Sequence, residues 1–402
     1  MSIKLTVEPA PFKDAVEICE RIASRADDIN HRVARVSVGN GRLTISATDK
    51  SRFYERRMPV QGRNCSFCIE IGALSRVAKT ASAADPIEIS VGETLATFSF
   101  VGDFGKGTAR AAIMPADHFS KFPEVPENPF VMDRSQLLGM LRAVLPCADR
   151  QNAREYLNGI TLAVEPHGGE ESGGKDLVFY ACNANAVASC RTPVPMGCDF
   201  GRVIIPTEAV DQFELLCRQD DTLGIAVSEN LIAVTGLGFT FMSRLIGSEP
   251  PQFLAMVPAA EGAVIEVDGA VLSSAVKSVM SWASERERCV WLVPSGDTVR
   301  VCCRGEGAAI STATVPAAIS DDAEEITVAA RTLAAALASG SGTFVVWGQP
   351  KGSEKAPPGY RYSRPDSPSG ELFGAVARMR SQPWAAYEES APVDDVTTQA
   401  AE

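Results

Sequence analysis

A short apolar strand, an amphipathic helix and then further strands recur six times along this chain, in three units of about 130 residues. Recurrence of one supersecondary unit is the signature of repeat architectures, in which no copy buries its apolar face alone. The ends of the first two units mark the period most clearly. Phe122-Pro123-Glu124-Val125-Pro126 and Phe253-Leu254-Ala255-Met256-Val257-Pro258 are each followed by a fresh strand and helix. Hydrophobic periodicity places helices at about 11–24, 72–82, 134–145, 207–217, 269–282 and 331–338, with strands between them. Asn40-Gly41 is a two-residue hairpin signal. The expected fold class is α+β, in three tandem domains of two strand-helix-strand half-repeats each. The domains are 1–127, 128–259 and 260–380, and 381–402 is a tail rich in acids and small polar residues that reads as disordered.

Composition narrows the function classes. With 45% hydrophobic residues in 402, the chain can build two or three ordinary cores. Apolar runs stop short of the roughly 20 residues that span a bilayer, so no membrane segment is expected. Met1 to Glu8 alternates like a strand and lacks the apolar core of a signal peptide, which gives a cytoplasmic expectation. Eleven scattered cysteines in apolar settings read as reduced, buried thiols. Cys65 and Cys68 have CxxC spacing but no second pair, and with three histidines in the chain no metal site is expected. The formal charge is −12, and the tail carries five acids and no base. Such a balance argues against a protein that coats nucleic acid but leaves room for a local basic surface.

That surface is suggested by the helix wheels. Leu74, Val77, Ala78 and Ala81 share one face of the second helix and Arg76 and Lys79 the other; Lys277 stands opposite Leu272, Ala275, Val276 and Val279 on the fifth. Arg142 and Arg331 lie on polar faces, and Lys13 and Arg21 share theirs with Glu17 and Glu20. The helix at 207–217 is the exception, with Glu208, Asp211 and Glu214. Recurrence of bases at equivalent places favours a functional reading over an ordinary solvated face.

Arg154-Glu155-Tyr156-Leu157-Asn158-Gly159-Ile160 and Tyr180-Ala181-Cys182-Asn183 resemble the bacterial DNA polymerase III beta subunit family, the sliding clamps. The resemblance extends to Ala47-Thr48-Asp49-Lys50-Ser51-Arg52-Phe53, Val203-Ile204-Ile205-Pro206 and Val376-Ala377-Arg378-Met379-Arg380. It implies a head-to-tail dimeric ring with helices inside, which encircles double-stranded DNA without sequence readout and tethers a DNA polymerase. It also implies DNA contacts at Arg25 and Gln151 and a dimer contact at Met280 and Trp282. Polymerase and clamp loader would dock by short peptides in an apolar pocket of Leu157, Cys182, Ala184, Asn185, Ala186, Val187, Pro251, Met256, Val376 and Met379. Here the chain departs from the family. The usual Thr-Asp-Gly-x-Arg-Leu run is replaced by Cys182 to Val187, which removes a hydroxyl and a guanidinium, and 22 residues follow Arg380. A divergent clamp with altered partners is the resulting expectation.

Two other readings compete. Gly169 to Lys175 fits GxxxxGK, but Asp176 stands where a magnesium-holding hydroxyl belongs and the run joins two strands. With no nucleophile elbow or histidine cluster, no enzyme and no cofactor are expected. A clamp-fold scaffold that binds proteins and has lost DNA is the alternative.

Overall fold

The computed structural model describes residues 3–23, 32–167, 174–218, 220–249, 252, 257–283, 288–306, 309–338, 342–348, 359–367, 370–379 and 382–390. Arg25, Pro251, Met256, most of the GxxxxGK run and the last 12 residues lie outside this set.

Seven helices are described: α1 (Pro9–Ala23), α2 (Ile71–Thr80), α3 (Arg134–Val144), α4 (Thr207–Leu216), α5 (Gly269–Met280), α6 (Ala330–Ala338) and α7 (Trp384–Ser390). The first six occupy the periodic segments of the sequence. Local chemistry sets their ends. The Asp268 carboxylate accepts from the Ala270 and Val271 amides at 2.9 Å each and starts α5. Helix α2 ends at Thr80, two residues short of its expected bound, because Ala81 turns extended at ψ 145°. The Lys13 ammonium then binds the Ala81 carbonyl, a cation on the negative end of the helix. Pro146 ends α3 in a single tight turn, Leu145–Cys147.

Contacts gather the chain into two compact units, 1–135 with 195–247 and 136–194 with 248–402. The stretch 128–259 therefore contributes to both. In the first unit an antiparallel sheet runs Phe130–Asp133, Thr222–Val227, Leu231–Gly236, Phe239–Arg244, Arg52–Pro59, Arg42–Thr48, Val33–Gly39, Cys65–Glu70, Gly105–Pro115, Leu95–Gly102, Ile87–Val91, Ile3–Val7, Gln61–Gly62. In the second it runs Gly159–Pro166, Lys175–Cys182, Ala186–Pro193, Glu371–Ala377, Gly359–Arg364, Thr343–Gly348, Ala263–Asp268, Ile310–Ile319, Thr298–Arg304, Cys289–Ser295, Ile326–Ala329.

The order shows how the half-repeats are tied. Each opening strand pairs in the other half of its own third: Ile3–Val7 with Ile87–Val91, Cys65–Glu70 with Val33–Val38, Ala263–Asp268 with Thr343–Gly348, and Ile326–Ala329 with Cys289–Leu292. Two junctions then join successive thirds, Phe239–Ser243 to Arg52–Arg56 and Ala186–Arg191 to Glu371–Val376. Helices cover one face of each sheet. Leu272, Val276 and Val279 of α5 and Leu333 and Leu337 of α6 pack into one cluster with Val290, Leu292, Val301 and Val346. Burial of such side chains stabilises the fold by about 1.5–3 kcal/mol apiece.

The tail departs from expectation over its first part. Trp384 is 1% exposed. Its ring lies 5.4 Å from that of Trp291, with Tyr387 packed edge-on against Trp291 and the Arg304 guanidinium 4.4 Å above Tyr387. The Trp384 amide donates to Glu325 (3.0 Å) and the Trp291 indole to the Gln382 carbonyl (3.2 Å). Alternation sends Val290 and Leu292 inward and Trp291 to the opposite face, where α7 covers it. Trp384→Ala should release α7 at a cost of about 3–5 kcal/mol of docking. A red-shifted Trp291 emission and new protease cleavage in 382–390 are the expected readouts; unchanged protection would show α7 held by something else.

Candidate nucleic-acid and peptide interfaces

The basic helix faces differ between the units. In the first, the Lys79 ammonium meets Glu20 at 3.0 Å, Arg21 pairs with Glu17 one turn earlier on α1, and Arg218 approaches the same Glu17 at 3.6 Å. Burial pushes the Glu20 carboxyl up, but hydrogen bonds with Ser75 and Lys79, together with the charges of Lys79 and Arg21, hold it below its usual range. Lys13 is engaged at Ala81. Arg76 is exposed, but it rims a hollow of about 470 Å³ lined by Ala73, Val77, Phe98, Phe100 and Met114, with Glu70 beside it.

In the second unit, α5 and α6 pack side by side and leave a groove of about 370 Å³ between them, lined by Val276, Lys277, Met280, Ala283, Arg288, Ala330, Arg331 and Ala334. Lys277, Arg288 and Arg331 are all exposed there. The structure thus brings together two expected bases and adds Arg288, which lies outside any helix and is positioned by its carbonyl accepting from the Ala330 amide (2.8 Å). Met280, expected at a dimer contact, sits in this groove, while Trp282 is 66% exposed just beyond α5. Arg142 and Gln151 are exposed elsewhere, on α3 and in the loop after it.

A second depression, of about 320 Å³, lies in the second unit on the sheet face turned away from the helices. It is lined by Cys182, Asn183, Ala184, Asn185, Ala186, Val187, Pro258, Gly359, Ala375, Val376 and Ala377. Six of these are expected pocket residues. Leu157 stands behind it, 6% exposed, packed with Tyr180, Cys182, Val187 and Ala375. Met379 lies outside the lining: its amide donates to the Thr327 carbonyl (2.9 Å), and Arg378 bridges to Val328, so the chain is drawn toward strand Ile326–Ala329.

An internal duplicate explains why the depression is open. The turn Thr48–Arg52 and the turn Cys182–Ala186 join equivalent strands. In each, one side-chain oxygen receives two backbone amides: Asp49 Oδ1 from Ser51 (3.0 Å) and Arg52 (2.6 Å), Asn183 Oδ1 from Asn185 and Ala186 (2.9 Å each). In the first turn, buried Arg52 also donates Nε to Asp49 (2.8 Å) and fills the space behind the loop. At the equivalent place in the second turn Ala186 supplies only a methyl group. Phe122 closes the first copy further by packing against Phe53 at 5.4 Å. Burial pushes the Cys182 thiol up to about 12, so it lines the depression as a neutral apolar group.

Two strands present unpaired edges. Over Gly105–Ala112 one side pairs with Leu95–Gly102 and the other with no described strand; Ile310–Pro316 likewise pairs only with Thr298–Arg304. Phe104, Met114 and Ile310 are exposed beside them. Among the described residues no cluster of three His, Cys, Asp or Glu could hold a metal, and no helix is long and apolar enough to cross a membrane.

A chain of repeated strand-helix halves, joined through continuous sheets and carrying a basic helix groove, has the clamp fold. Residues 132–252 match the family described as DNA polymerase III beta subunit, central domain. Over 203 residues the chain is 25% identical to the beta sliding clamp of Pseudomonas aeruginosa, covering 49% of this chain and 52% of that one, so it spans about half the length of this curated relative. The Caulobacter crescentus beta sliding clamp, with polyethylene glycol at a putative beta-motif tethering region, superimposes with a TM-score of 0.84 at 18% identity, over 94% of this chain and 99% of that one. A Bartonella birtlesii sliding clamp bound to griselimycin gives 0.82 at 20%, over 95% and 100%. The middle of the chain is thus similar to the central domain of the beta-subunit family, and the whole chain shares the fold of these sliding clamps.

Proposed function

We propose that the chain works as a DNA sliding clamp: a homodimer that encircles duplex DNA without reading its sequence and tethers a polymerase. The groove of Lys277, Arg288 and Arg331 between α5 and α6 carries this reading. Three exposed cations lining one groove offer phosphates a screened, non-specific attraction, which suits a protein retained by topology and free to slide. The acidic balance elsewhere disfavours DNA on other surfaces.

Dimerisation supplies the closure. Pairing of Gly105–Ala112 on one protomer with Ile310–Pro316 on the next would satisfy both open edges and cover Phe104, Met114 and Ile310. Arg76 then belongs to this contact and not to the DNA wall. A solution mass near twice that of one 42.7 kDa chain is expected at micromolar concentration, and near one chain for Met114→Asp combined with Ile310→Asp. A monomeric parent protein would overturn the dimer. The function itself is tested by salt-sensitive retention of the dimer on nicked circular DNA that is lost when the circle is cut. An intact dimer with no retention would leave only a protein-binding scaffold.

The depression at Cys182–Val187 serves as the docking point for partner peptides. Because Cys182 and Ala186 replace a hydroxyl and a guanidinium, it holds a peptide mainly through apolar contact with Val187, Pro258 and Ala375.

A further inference from the structure

Next to the depression, on the same sheet face, runs a row of side chains from four neighbouring strands. The guanidiniums of Arg191 and Arg361 lie 5.2 Å and 4.8 Å from the centroid of the Phe373 ring, and Arg361 is also 5.8 Å from that of Trp347. Register accounts for the row. Trp347 is opposite Arg361 and Arg361 opposite Ala375, while Phe373 lies between Ser363 and Ser189, and Arg191 is opposite Glu371. Val346, Tyr360, Tyr362 and Val376 point the other way, into the core.

The row abuts the depression directly. Arg361 Nη1 donates to the Pro258 carbonyl at 3.2 Å, and Pro258 and Ala375 are lining residues. Two guanidiniums share one aromatic ring, with Glu371 the acidic side chain that acts on Arg361. In a chain of net charge −12 this is a local positive excess bordering an apolar hole.

We propose that the occupant of the depression is an extended peptide of a partner protein in which an apolar anchor is accompanied by carboxylates, and that Arg361 and Arg191 receive those carboxylates. The proposal rests on the depression being a peptide site. Strand geometry fixes the spacing. Side chains on one face recur every two residues, about 6.8 Å apart. An anchor over Ala375 therefore places the side chain two residues away beside Phe373 and Arg361, and the one four residues away beside Arg191. The stacked, half-buried guanidiniums are already ordered, so little rotamer freedom remains to be lost on pairing.

The test uses the full chain and four labelled peptides: Leu-Ser-Asp-Ser-Asp, its Asn counterpart, and both in reversed order. In about 50 mM salt the acidic peptide of one chain direction should bind about tenfold tighter than its Asn counterpart, as expected for two partly exposed charge pairs. That preference should fall below about twofold in Arg191→Gln/Arg361→Gln and persist at threefold or more in Arg191→Lys/Arg361→Lys. The Lys variant and loss of the preference at about 0.5 M salt keep the test decisive if the Gln variant misfolds. Equal binding of acidic and Asn peptides, both abolished by Ala186→Asp, would overturn the arginine assignment and leave the pocket standing. Failure of every peptide to bind would sink the pocket and the proposal together. A gain of more than about fivefold on removing residues 391–402 would overturn the assignment to a partner, because the chain's own acidic end would then hold the row.

Discussion

Replacing Lys277, Arg288 and Arg331 together by Ala should weaken association with a short DNA duplex by about two orders of magnitude near 0.1 M salt. Each phosphate contact contributes about 0.9 to the slope of log affinity against log salt, so the slope should flatten by up to about 2.7. All three cations are exposed on one groove and stay clear of the main core cluster, so folding should survive. Lys79→Ala is the informative contrast. Its ammonium sits 3.0 Å from Glu20, and a phosphate would have to displace that carboxylate or lie beside it, so the loss should be several times smaller than for any one groove residue. A titration in a salt series decides the matter. An unchanged slope in the triple variant would mean that this groove does not face DNA.

Gly374→Ala should destabilise the second unit by about 3 kcal/mol. Gly374 lies opposite Ala188 on one side and Tyr362 on the other. A Cβ there would fall 2.1 Å from the Val187 carbonyl oxygen and 2.6 Å from the Tyr362 hydroxyl. Neither neighbour can give way. The carbonyl belongs to a paired strand, and the Tyr362 ring is fully buried and stacked 5.5 Å from Phe344. The strands must therefore part at a junction that also carries Val187 and Val376 of the depression. Urea unfolding measures the loss, and peptide affinity should fall with it. A cost under about 1 kcal/mol would show that the two strands slide past the added methyl.

Local chemistry was the legible part of this molecule. Six helices follow the 3.6-residue period, and Asn40 and Gly41 take φ 51° and 70°, as their hairpin signal requires. The reduced thiols were legible too, and burial pushes Cys147, Cys190 and Cys217 up to about 12. Long-range partners were not legible. Glu20 and Lys79 are 59 residues apart, so nothing on the α2 wheel reveals that its base is matched. Arg288 lies outside the helical period and joins the basic groove only because α6 packs beside α5. The tail misleads because its acids and small residues dominate a composition count, whereas Trp384 and Tyr387, three residues apart, form one helical face. The pocket lay between these extremes. Its loop could be placed by resemblance, but the route of the chain after Val376 depends on the Met379 amide meeting Thr327, and that took Met379 out of the lining.

The two sheet junctions also govern how such a protein can change over evolutionary time. The segment that sequence alone assigns to a family, 132–252, is bounded by neighbours on both flanks: Phe239–Ser243 leans on Arg52–Arg56, and Ala186–Arg191 leans on Glu371–Val376. Excised or exchanged as a cassette, it would expose two bare strand edges, each a template for aggregation. A lineage seeking new partners therefore has little access to swapping the middle third wholesale. It must proceed by substitutions in place, such as Ala186 and Cys182, while the flanking thirds hold the register.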